Sequence, residues 1–170
     1  PKHIVHINLF DVNKVYIQGN EFINEVPNLY NENNKGFGVL AYNSQFVVRP
    51  FGFSQIPTSF TNLYMGVYAQ SGNSMNMTMV HKTTFVNNQY GVIYNGFQSG
   101  RVTESYFEVA ENSIGNNTAG IYLTNCTGYR VENNNLQSLL STSTNENSYG
   151  IVVNNSGTAD NFFIVIKWET

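Results

Sequence analysis

The chain has 170 residues, a net charge of −3 and a charged fraction of 11%, well below the roughly 25% of an average soluble domain. Its eight Lys and Arg are scattered, so no basic stripe is available to neutralise several phosphates, and nucleic acid is excluded as an expected partner. No run approaches the ~20 apolar residues needed to cross a bilayer, and the lone Cys126 excludes an internal disulfide framework and a Cys-based zinc site.

Along the chain, two kinds of short apolar pattern alternate. Ile17 stands five positions before Phe22, and Gly38-Val39-Leu40-Ala41 follows. Val48 and Phe53 come next, then Gly66-Val67-Tyr68-Ala69, Val80 and Phe85, and Gly91-Val92-Ile93-Tyr94. The series closes with Val102 and Phe107, Gly120-Ile121-Tyr122-Leu123, Val131 and Leu136, and Gly150-Ile151-Val152-Val153. Each pattern is short, rich in β-branched and aromatic residues and bounded by Gly, Asn or Ser, as strands are. Successive glycines lie 28, 25, 29 and 30 residues apart, and successive first anchors 31, 32, 22 and 29 apart. Neither strand can bury its apolar face alone, so equivalent positions must stack coil upon coil at the ~4.8 Å spacing of neighbouring strands. The predicted fold is all-β: a right-handed parallel β-helix, or solenoid, with about five coils of roughly 22–32 residues forming one domain over 1–170.

Three inner columns are expected: Ile17/Val48/Val80/Val102/Val131, Phe22/Phe53/Phe85/Phe107/Leu136 and Val39/Val67/Val92/Ile121/Ile151. Two residues before the second column stand Asn20, Phe51, Thr83, Ser105 and Asn134. Small polar side chains there can bond the backbone of a bend, and stacked amides can bond one another along the axis. This gives the 27 Asn, 13 Ser and 13 Thr of the chain a structural role.

The stretches Gly120-Ile121-Tyr122-Leu123-Thr124-Asn125-Cys126, Tyr129-Arg130-Val131-Glu132-Asn133-Asn134-Asn135-Leu136 and Tyr149-Gly150-Ile151-Val152-Val153 resemble the right-handed parallel β-helix repeat family. That fold is shared by pectate lyase-like enzymes and many secreted bacterial surface proteins, and the resemblance covers residues 12 to 164. It implies a coil architecture and an extracellular or cell-surface location, with the periplasm as the alternative. It implies little about activity, because the repeat records stacking.

Insertions concentrate after the Phe/Leu anchors, so residues 23–37, 54–65, 108–119 and 137–149 are where a binding loop would be sought. Pectate lyase-like chemistry needs clustered acids for Ca²⁺, and glycoside hydrolysis needs two opposed carboxylates. Asp occurs only at Asp11 and Asp160, and the one dense carboxylate group is Glu104, Glu108 and Glu111. The outward side of the first strand stacks Arg101 above Arg130, Arg49 beside His81, and Lys82 beside Glu104. Read as an acidic-sugar site, Arg101 and Arg130 pair a uronate while His81 abstracts a proton beside Glu104. Read as a sheet surface, the same charges keep an exposed face from associating.

The outward residues of the glycine strand, Leu40, Tyr68, Ile93, Tyr122 and Val152, form an apolar stripe. Such a stripe calls for a covering loop, another chain, or sugar rings stacked on the tyrosines. No metal site and no cofactor is expected. His3 and His6 have no partners with ligand spacing, and the sequons at Asn76, Asn116, Asn125 and Asn154 arise readily in a chain this rich in Asn and Thr. The expectation is a non-catalytic scaffold or adhesin contacting polysaccharide or another protein surface, with a polysaccharide lyase or hydrolase as the alternative. The start, and the closing run Phe162-Phe163-Ile164-Val165-Ile166 that departs from the repeat, suggest a fragment of a longer solenoid that associates end to end.

Overall fold

A computed structural model describes residues 4–25, 36–72, 77–109, 117–138, 148–157 and 163–167. The described elements are all strands, paired in parallel, and build a β-solenoid. The first turn holds β1 (Val5–Phe10), β2 (Val15–Gln18) and β3 (Glu21–Ile23). The second holds β4 (Phe37–Tyr42), β5 (Phe46–Arg49) and β6 (Ser59–Thr61), and the third β7 (Met65–Gln70), β8 (Met77–His81) and β9 (Thr84–Asn88). After β10 (Tyr90–Asn95), β11 (Ser99–Thr103) and β12 (Tyr106–Val109), the chain passes through β13 (Thr118–Thr124) and the long β14 (Arg130–Ser138) to β15 (Ser148–Asn154) and β16 (Phe163–Lys167). About four turns close with separate strands, against the five coils expected. In the next turn one strand, β14, pairs with both β11 and β12. The closing apolar run does not leave the repeat, because β16 pairs with β14 in parallel.

Three strand columns result. The first sheet runs β1-β4-β7-β10-β13-β15, the second column contains β2, β5, β8, β11, β14 and β16, and the third contains β3, β6, β9 and β12. Val48, Val80, Val102 and Val131 occupy one buried column, as Val39, Val67, Val92 and Ile121 occupy another.

The phenylalanine column is corrected at one place. Five residues after Val48 stands Phe53, but it is fully exposed. An inserted hairpin, closed by an antiparallel Phe51–Ile56 bridge, lifts it out, and the chain returns to the core at Phe60. The rings of Phe22, Phe60, Phe85 and Phe107 stack at centroid distances of 4.7, 5.0 and 4.7 Å, nearly parallel. Leu136 continues the column beyond Phe107, and His6 packs edge-on against Phe22. Likewise Phe51 leaves the small polar column, and Thr58 takes its place with its hydroxyl donating to the Arg49 carbonyl at 3.1 Å.

Corners are built from one recurring device: a residue in the left-handed region followed by a small polar or thiol side chain bonding back to the backbone. After the first sheet, Asn43, Asn125 and Asn155 have φ of 46°, 53° and 45°. Ser44, Cys126 and Ser156 then donate to the carbonyls of Tyr42, Thr124 and Asn154. After the second column, Lys82 and Glu104 adopt φ of 46° and 50°, and Thr83 and Ser105 donate to the carbonyls of His81 and Thr103. Asn tolerates the left-handed region because its short amide bonds locally.

Amides also link successive coils. Asn155 donates to the Asn125 side chain at 2.7 Å, Asn125 to Asn95, and Asn87 to Asn62 at 2.7 Å. Asn88 is buried, donates to the Phe60 carbonyl and accepts from the Leu63 amide at 2.9 Å. Replacing Asn88 by Ala therefore leaves the buried Leu63 amide without its side-chain acceptor inside the solenoid. An expected loss of about 1–3 kcal/mol follows, measurable by urea denaturation.

Candidate functional site

Glycine breaks the period-two alternation in the first sheet. In β4 and β7 two consecutive residues, the glycine and the valine after it, are buried. A Cβ on Gly91 would meet the Phe107 ring at 2.8 Å, which places this glycine against the core beside Val92. The residue before the glycine and the residue two after it consequently share the outer face. Tyr90 and Ile93 come together in this way.

The outward stripe stands in register as Leu40, Tyr68, Ile93, Tyr122 and Val152. Its members are half-buried, except Ile93, which is only 7% exposed. At the β13–β15 end the stripe widens into an open groove of about 670 Å³ lined by Tyr64, Tyr90, Ile93, Tyr122, Tyr149 and Val152 among others. Tyr64 and Tyr90 meet edge to face at 6.0 Å, and Tyr90 and Tyr122 at 6.3 Å. Among the described residues no charged side chain lines this groove, and Asn117 and Thr118 supply polar groups. Leu40 and Tyr68 lie outside it, with the Tyr68 hydroxyl donating to Gln70 at 3.0 Å.

The aromatic lining was only partly visible in the sequence. Tyr122 and Ile93 are readable as outward positions and Tyr64 as an aromatic of the expected binding stretch 54–65, whereas strict alternation does not bring Tyr90 and Tyr149 to this face. For Tyr90 and Tyr149 the signal is an aromatic residue directly before the glycine pattern, as also at Phe37.

The second column carries the charges. On its outer face one row holds Tyr16, Val47, Met79, Arg101 and Arg130, and the next holds His81, Thr103 and Glu132. Arg101 and Arg130 are direct neighbours, as the alignment implied. Arg130 lies 2.5 Å from Glu132, and this contact raises the Arg130 pKa further through the hydrogen bond and the charge. The two arginines, Glu132, Gln98, Ser99 and Tyr129 line a depression of about 630 Å³.

His81 and Glu104 do not line it. The His81 ring bonds the Thr103 hydroxyl at 2.9 Å, and Glu104 sits at the corner, paired with Lys82 at 3.7 Å. Arg49 lies over the Tyr16 ring at 4.8 Å. Glu108 stands within 3.4 Å of the Tyr106 hydroxyl; desolvation first, and then the Glu108 charge and bond, raise the Tyr106 pKa.

Cys126 is buried, and burial raises its pKa, so it stands as a thiol rather than a ready nucleophile. Tyr94 is raised by desolvation, and its hydroxyl donates to the Arg101 carbonyl at 3.1 Å. No group of three or more potential metal ligands occurs among the described residues. No helix there is long and apolar enough to cross a membrane.

Of the four expected loops, stretches 26–35, 110–116 and 139–147 lie outside the described residues, as do His3, Glu111, Asn76 and Asn116. Residues 54–65 are not simply a loop, since they contain β6 and the core residue Phe60. Comparison with family models, curated proteins and solved structures finds no match.

Proposed function

We propose that this solenoid is a non-catalytic scaffold of an extracellular or cell-surface protein, contacting an uncharged polysaccharide through the groove on its first sheet. The observation that carries this reading is the set of tyrosines, Tyr64, Tyr90, Tyr122 and Tyr149, supplied by successive coils to one groove that no charged side chain lines among the described residues. Tyrosine combines an apolar ring face with a hydroxyl, the pairing that a sugar ring with its apolar face and polar rim requires. Coils repeat at ~4.8 Å, a length close to the advance of one pyranose along an extended glycan. The axis of the solenoid and the axis of such a ligand therefore match.

The test is affinity electrophoresis in gels containing neutral glucans, xylan or mannan, alongside an assay for released reducing ends and unsaturated products. Retardation by at least one neutral polymer is expected, without product. Tyr122→Ala should weaken it about tenfold, corresponding to ~1.4 kcal/mol. Absence of retardation across the panel, or full binding by Tyr122→Ala, would refute the groove, and polymer cleavage would favour the lyase or hydrolase alternative.

A further inference from the structure

We infer that the outer face of the second column carries a separate oxyanion site, formed by Arg101 and Arg130, for carboxylate or sulfate groups on an acidic polymer. The chain has three arginines, and all lie exposed on this face, at Arg49, Arg101 and Arg130. Arg49 is occupied by the Tyr16 ring. The other two stand directly opposite each other on neighbouring parallel strands. Like charges in that arrangement repel, and one carboxylate, Glu132, compensates only Arg130.

Among the described residues Arg101 makes no ion pair, so the pair retains a surplus positive charge in a chain whose net charge is −3. The depression that holds it also presents the Gln98 amide and the Ser99 hydroxyl, both able to donate to an anion. Two guanidinium forks on adjacent strands suit oxyanions borne along a chain, since each fork can take two oxygens of one planar or tetrahedral group.

This site lies on a different strand column from the tyrosine groove, and its test stands apart from that of the proposed function. The full chain is run in native gels containing dextran, dextran sulfate or alginate. Retardation by dextran sulfate, alginate or both, beyond any shown by dextran, is the expected result. Sulfate alone or uronate alone identifies the preferred group, and both together identify a reader of oxyanion charge.

Arg101→Gln and Arg130→Gln should each raise the polymer concentration for half-retardation about tenfold, at unchanged melting temperature. Arg49→Gln should leave it unchanged. Glu132→Gln, by freeing Arg130, should lower it, a gain that misfolding cannot mimic. Tyr122→Ala should have no effect on retardation by the anionic polymers. No retardation by either anionic polymer, equal losses in the Arg49 and Arg101 variants, or no gain in the Glu132 variant would overturn the inference.

Discussion

Phe85→Ala is expected to destabilise the solenoid by about 3–5 kcal/mol, a fall in melting temperature on the order of 10 °C for a chain of this size. Phe85 is buried between Phe60 and Phe107, with rings stacked at 5.0 and 4.7 Å on its two sides. Its removal deletes a large buried side chain and leaves a void between two rings held by separate coils, which cannot close without shortening the axis. Stacking adds to the area lost, because aromatic pairs contribute beyond burial. The internal control is Phe53→Ala. That ring is fully exposed at the tip of the hairpin, and its loss should change stability by no more than about 0.5 kcal/mol. Thermal melts of the two variants compare directly, and equal effects would contradict the Phe60 register.

The second large effect is expected at Gly91. Gly91→Val should cost about 3 kcal/mol or more, at the upper end of what overpacking produces. The first added carbon already meets the Gly120 carbonyl oxygen at 2.5 Å and the Phe107 ring at 2.8 Å. Neither obstacle can yield freely, since one belongs to the neighbouring strand and the other to the phenylalanine stack. Equivalent approaches occur at Gly38 and Gly66, where a Cβ would meet the next glycine's carbonyl oxygen and a phenylalanine ring. Circular dichroism and urea denaturation of Gly91→Val and Gly72→Val provide the contrast. A Cβ on Gly72 meets nothing within 4 Å.

The groove depends on the break in alternation at glycine, which puts Tyr90 and Ile93 on one face. The arginine pair depends on simple in-register stacking of β11 on β14. Lys82 and Glu104, both in the left-handed region, take that conformation because this corner, where no hairpin interrupts it, places one residue there, as Gly19 and Asn133 do at the equivalent position with φ of 60° and 52°. Their backbone is explained by architecture, and their mutual ion pair by the stacking of two corners.

By itself the sequence determined the parallel coils, the valine columns, the placement of small polar residues at bends, and the adjacency of Arg101 and Arg130. These follow from spacing, because a solenoid converts an equal position in each repeat into a contact between neighbouring strands. Only the tertiary structure decided that Phe60 rather than Phe53 fills the core, since a spacing rule cannot see a hairpin inserted between two strands. It likewise decided that Tyr64, Tyr90 and Tyr149 join Tyr122. Strict alternation assigns Tyr90 and Ile93 to opposite faces, whereas two consecutive core-facing residues at each glycine return them to the same one.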